Sequence, residues 1–155
     1  MLKGVLDKST CAKCKFCCGF DKEDSWEIPV INEALADELR NKGIKIDNVN
    51  GCYKYNLEFE GNEIKYCPFL DEKTGCTLDN ENKPFDCKIW PLRVMKKGNK
   101  KVLAIAKTCP AFSVTKADLL RLISERLLEE IKEYISKNPY VINELKEDYE
   151  VLAEF

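Results

Sequence analysis

Between Ile31 and Lys42 the apolar positions Ala34, Leu35 and Leu39 recur at helical spacing, and Gly43 stands where a helix often ends, so the pattern predicts a helix there. The period then changes. Tyr53, Tyr55, Leu57 and Phe59 share one parity, Glu60-Gly61-Asn62-Glu63 offers a turn, and Ile64 and Tyr66 resume, which predicts a first β-hairpin. Arg93 to Met95 and Val102 to Ala106 flank Lys96-Lys97-Gly98-Asn99-Lys100 and predict a second, with its charged turn in water. From Thr115 the spacing is helical again. Thr115 and Asp118 form a capping pattern, and Leu119, Leu120, Leu122, Ile123, Leu127, Leu128, Ile131, Tyr134 and Ile135 follow until Asn138-Pro139 stops the run. Tyr140, Val141, Leu145, Tyr149 and Leu152 predict a second helix that folds back on the first as an antiparallel pair. Such stripes serve core packing or a partner-binding face. The expected fold class is therefore α+β. A cysteine-rich domain over residues 1–114 would hold the two short hairpins, and residues 115–155 would form a helical extension packed on it.

Composition narrows the chemistry. With 155 residues, 45% hydrophobic and 34% charged, the chain has the balance of a folded domain with a core. No apolar run approaches the roughly 20 residues of a spanning helix, so no membrane insertion is expected. Lys and Arg number 25 against 27 Asp and Glu, a net charge of −2 that argues against nucleic acid as a partner. Nine cysteines and no histidine matter more. Every mechanism built on imidazole is excluded, and thiolate chemistry remains. The opening MLKGVLDKST has no apolar core of a secretory signal, so the expected location is cytoplasmic. In a reducing compartment an odd set of nine thiols points to metal ligation ahead of disulfides.

Cys11, Cys14, Cys17 and Cys18 fall within eight residues, and two-residue gaps in a loop let several thiols face one centre. Cys67-Pro68 and Cys109-Pro110 resemble the later Cys-Pro of ferredoxin runs and could return to that loop at the ends of the hairpins. The proline would fix the backbone beside a ligand, or simply end a strand. Cys76 follows Gly75 on a tight turn, and Cys87 ends Lys83-Pro84-Phe85-Asp86-Cys87, a short helical turn with proline at its start. These eight are the candidate metal and cofactor ligands. Cys52 lies outside the ordered motif, as the thiol left over and a buried residue of the first hairpin.

The run CAKCKFCC, then Tyr66-Cys67-Pro68-Phe69-Leu70, Gly75-Cys76, Lys83 to Pro91 and Cys109-Pro110, resembles the YkgJ-type cysteine-cluster family, a zinc- or iron-chelating CxxCxxCC domain. The likeness covers Cys11 to Pro110 and implies a cysteine-ligated metal centre. The flagellin lysine N-methylases are similar through this domain but are larger chains, so their activity is not carried over. Where the family has arginines flanking the Pro-x-x-Cys element, this chain has Lys83 and Lys88, which keep the charge but lose the planar fork.

Three consecutive cysteines at two-residue steps plus a distant Cys-Pro favour an iron–sulfur cluster, 4Fe–4S in type, over zinc. Charge does not separate them: two four-thiolate sites carry about −4 with either metal. Lys13, Lys15, Lys83 and Lys88 would offset that charge or serve as solvated surface. Phe16, Phe69 and Trp90 would shield the centre or belong to the core. The expected function is an iron–sulfur protein with an electron-transfer or redox role toward a protein partner. The alternatives are a zinc-stabilised interaction module and a metal-handling protein. No radical-SAM CxxxCxxC, GxGxxG or GxxxxGK[ST] element is present, so no reaction or catalytic residue is assigned.

Overall fold

The structure is a computed structural model that describes residues 13–49 and 51–154; Cys11 lies outside the described residues. Two compact units divide the chain, one spanning Ala12–Lys88 and the other containing Ile89–Phe155. The α+β class holds, with several small hairpins and one mixed four-stranded sheet.

In the first unit β1 (Gly19–Phe20) precedes α1 (Glu33–Asn41). Asn32 caps α1 by accepting the Leu35 N–H at 2.9 Å, and Gly43, at φ 81°, follows its end as expected. Leu35, Ala36 and Leu39 bury against Phe20, Ile28, Ile31, Tyr55 and Phe69 to form this unit's core. The first hairpin is not the expected one. β2 (Ile46–Val49) pairs with β3 (Cys52–Tyr55), the turn held by Asn48, whose Oδ1 accepts the Gly51 N–H at 2.9 Å with Gly51 at φ 85°. Beyond Tyr55 the Asn56 side chain accepts the Glu58 N–H at 2.9 Å, and Glu58 takes a left-handed φ of 47°; this local bonding ends the strand before Leu57 and Phe59 can extend it. β4 (Lys65–Tyr66) pairs instead with β1, and β5 (Leu70–Asp71) with β6 (Gly75–Cys76). The short helix α2 (Phe85–Ile89) follows Pro84 as the sequence predicts.

In the second unit β7 (Leu92–Lys97) and β8 (Lys100–Ala106) form the predicted hairpin. Gly98, first of its two turn residues, has the φ of 61° that a primed two-residue loop requires. The helix α3 runs over residues 116–137, capped by Thr115, which accepts the Asp118 N–H at 3.1 Å. It buries Leu119, Ile123, Ile131 and Ile135, and steps of four over-rotate a 3.6-residue helix by about 40° each. A π-helical segment at Ile123–Leu127 widens the turn and brings the stripe back toward one face.

The expected antiparallel helical pair is corrected. After Asn138-Pro139 the chain makes one 3-10 turn, then β9 (Asn143–Glu144) and β10 (Tyr149–Glu154), giving strand order β10-β8-β7-β9. β9 runs parallel to β7, and β10 antiparallel to β8. A lone β7–β8 hairpin would leave both edges unpaired, and two strands are marginal in water. The tail pairs with both edges, β9 over two residues of β7, and Tyr149 and Val151 suit a strand by propensity.

Candidate metal centre

The cysteine loop turns at Lys15, whose left-handed φ of 53° is uncommon for a residue with a side chain. That turn lets the Phe16 N–H reach Cys14 Sγ at 3.4 Å and the Cys18 N–H reach the Lys15 carbonyl at 3.0 Å, winding Phe16–Cys18 into a 3-10 turn. Gly19 then enters β1 opposite Tyr66. A Cβ on Gly19 would stand 3.2 Å from the Tyr66 ring and 3.3 Å from Ile64, so glycine permits this close pairing. Directly beyond the pair, the Cys67 N–H donates to the Cys18 carbonyl at 2.7 Å, so two thiols 49 positions apart lie side by side on the backbone.

Cys67 opens a turn in which the Leu70 N–H donates back to its carbonyl at 2.9 Å. Leu70 is paired with Cys76 across β5 and β6, and the turn between them is closed by Asp71, which accepts from the N–H of Lys73 and Thr74 at 3.0 and 2.8 Å. Cys87 sits on α2, whose neighbouring Asp86 is buried and accepts the Val30 N–H at 3.2 Å, tying the helix to the segment that leads into α1.

The Tyr55 hydroxyl lies among these segments. Its ring is buried edge-on against Phe20, with centroids 6.4 Å apart, and the hydroxyl has no hydrogen bond of good geometry. Burial raises its phenol well above the usual range, the Cys67 sulfur raises it further through its charge and a side-chain interaction, and charge at Cys87 and Cys18 adds to this. Burial likewise pushes the Cys67 thiol up, while the adjacent Tyr55 hydroxyl, the Phe69 N–H and the Lys83 ammonium pull it down and Cys76 raises it. Charge at Cys67, Cys87 and Cys18 acts on Tyr55, and charge at Cys76 acts on Cys67.

Cys14 and Cys17, both half-buried, stand on the loop that leads to Cys18. Cys109, also half-buried, belongs to the second unit, where its carbonyl accepts the Phe112 N–H at 3.5 Å. Cys52 is buried at the start of β3 opposite Val49. Among the described residues no group of three or more His, Cys, Asp or Glu stands ready to hold a metal ion. Thiols are the donors that a thiophilic metal takes, but the described residues do not bring three of them into one site. Of the flanking lysines, Lys83 acts on Cys67, whereas Lys88 donates to the Glu81 carbonyl at 3.4 Å. Phe69 belongs to the first core, Trp90 is buried in the second unit beneath the Arg93 guanidinium, and Phe16 is half exposed.

Two further residues carry little signal in the sequence. Tyr55 stands in an apolar alternation, marked only by a polar tip in a run expected to be buried, and Asp86 stands in a short helical turn, where an acid is a natural anchor for a backbone N–H. No helix among the described residues is long and apolar enough to cross a membrane. No family model, curated protein or solved structure matches the chain, and the likeness to the YkgJ-type family rests on its cysteine motifs alone.

Proposed function

We propose that the chain is a cysteine-ligated metal protein whose centre is an iron–sulfur cluster, 4Fe–4S in type, serving electron transfer or another redox role with a protein partner in the cytoplasm. What supports this reading is a chain of nine cysteines and no histidine in which the Cys67 N–H donates to the Cys18 carbonyl, so that two candidate ligands from distant segments adjoin on the backbone. Cys11, Cys14, Cys17 and Cys109 complete the proposed set of eight, and Cys52 stays outside it. A bound cluster would supply one-electron chemistry. The chain's own part is to hold the thiolates: the β1–β4 pair fixes Cys18 beside Cys67, the β5–β6 turn presents Cys76, and Asp86 anchors the helix that carries Cys87. Lys83 offsets negative charge at Cys67.

One observation favours the second reading, a zinc-stabilised interaction module. Four strands of the first unit are only two residues long, and such small elements gain most from a metal that clamps their loops. The test is a strictly anaerobic preparation from iron-replete cells. A brown protein with iron, acid-labile sulfide and a visible band that bleaches with dithionite supports the cluster. A colourless, sulfide-free protein carrying stoichiometric zinc replaces it with the zinc module.

A further inference from the structure

We propose that Cys18 and Cys67 form a reversible dithiol–disulfide pair, closed by exchange with a low-molecular-weight disulfide. Such a pair needs only two free thiols set opposite each other and so stands apart from the proposed metal centre. Its one link to that reading is regulatory: if the centre is present, oxidation withdraws two of the eight proposed ligands and releases metal.

The backbone sets the pair. β1 and β4 run antiparallel with Gly19 opposite Tyr66 and Phe20 opposite Lys65, and one step beyond, the same register sets Cys18 opposite Cys67. The Cys67 N–H donates to the Cys18 carbonyl at 2.7 Å, so the pairing reaches the two cysteines although both strands stop short of them. Opposed residues of an antiparallel pair have Cα atoms about 4.5–5.5 Å apart and side chains on one face. A disulfide spans Cα distances of about 4.4–6.8 Å, so the bond closes without moving the segments apart or together by much. By alternation the two cysteines share the face of Phe20, and Cys67 packs against the buried cluster that contains Phe20. The Tyr66 ring lies over Gly19 on the opposite face and does not come between them. Both thiols are half-buried, which leaves them open to a small co-reactant.

The local rivals are less well placed. Cys17 adjoins Cys18 in the chain, and a bridge between neighbours closes a small, strained ring. Cys14 lies beyond the left-handed Lys15, where its Sγ accepts the Phe16 N–H at 3.4 Å. Exchange runs in two steps: one cysteine sulfur attacks the small disulfide and releases one thiol, and the other cysteine then displaces the second, forming the Cys18–Cys67 bond. The protein gives up two S–H hydrogens and is oxidised by two electrons, while the small disulfide is reduced to two thiols. Excess thiol drives the same steps backward, as for the transient disulfides of a reducing compartment.

The experiment treats the reduced full-length chain, isolated anaerobically with whatever metal it retains, with oxidised glutathione, then alkylates it and digests it with trypsin. Cleavage after Lys15, Lys22, Lys65 and Lys73 leaves Cys17 and Cys18 on one peptide and Cys67 on another, and fragmentation of the linked product separates Cys18 from Cys17. Expected are a Cys18–Cys67 link as the first and predominant internal disulfide, its loss with excess dithiothreitol, and loss of the preference in urea, where near neighbours compete on sequence distance alone. Because wild type is mapped directly, the result needs no variant to fold. A first disulfide between any other pair, a Cys18–Cys67 link no commoner in the folded chain than in urea, or no link at all overturns the proposal. Metal released in step with the link supports the control of the centre, and metal retained at full occupancy in the oxidised chain overturns that control. Failure of the metal reading looks different: the reduced chain carries no metal and takes up no cobalt(II), while the Cys18–Cys67 link still forms.

Discussion

The unit Ala12–Lys88 and the one containing Ile89–Phe155 use hydrogen bonds in opposite ways. In the second, β7 and β8 pair over six residues, edge strands complete the sheet, and Val102 to Ala106 are buried without a break. Its order comes from ladders and a large apolar core. In the first, much of the chain is turned by side chains bonding to nearby backbone: Asp21 to Asp24, Asn48 to Gly51, Asn56 to Glu58, Asp71 to Thr74 and Asp79 to Asn82. Local turns can aim a cysteine wherever the loop ends, which a regular ladder cannot do. They also bury little, so under the proposed function this unit would gain the most from a metal held by its thiols.

The largest effect expected from that contrast is metal removal. A chelator applied to the loaded protein should abolish amide-exchange protection in β1 to β6, since binding energy on the scale of about 10–16 kcal/mol can be folding energy in small metal domains. Protection in β7, β8 and α3 should persist. Equal loss in both units would break the comparison.

Next in size, Leu103→Ala removes a fully buried side chain from β8 and should cost about 2–5 kcal/mol, read from denaturant unfolding of the second unit. A cost below 1 kcal/mol would mean that this core is far more plastic than its burial indicates.

Asp86→Ala should cost the first unit about 1–3 kcal/mol by leaving the Val30 N–H without its acceptor. Asp86→Asn keeps an acceptor and should recover most of that loss. If both variants behave alike, α2 is held by packing and not by this bond.

A smaller effect is expected from alkali on the metal-free protein. Tyr55 and Cys67 are both raised above their ordinary values, chiefly by burial, so each keeps its proton longer folded than unfolded. Their contribution is complete below the unfolded pKa values, begins to fall near about pH 8.5 for cysteine and pH 10 for tyrosine, and is lost as pH rises through the folded values. The urea midpoint should therefore decline above about pH 8.5, and Tyr55→Phe should flatten the upper part of that decline. A midpoint that rises with pH across this range would contradict the burial of both groups.

Much of the local structure was legible from the residues. The α1 segment, the β7–β8 hairpin, the Thr115 cap and the stop at Asn138-Pro139 are decided by short-range periodicity, turn chemistry and capping, which act within a few residues of sequence. The candidate ligands were legible as residue types, because the absence of histidine and the spacing of thiols restrict the chemistry whatever the fold. Tertiary structure decided the rest. Asn143–Glu144 and Tyr149–Glu154 became strands because the β7–β8 hairpin offered two unpaired edges, a demand set by a distant segment and absent from the local pattern. The Cys67 backbone met that of Cys18 because β4 paired with β1, and Tyr55 joined the core of the first unit as β3 paired with β2. Pairing partners are selected by what the whole unit can bury and satisfy at once, and no single stretch of residues carries that information.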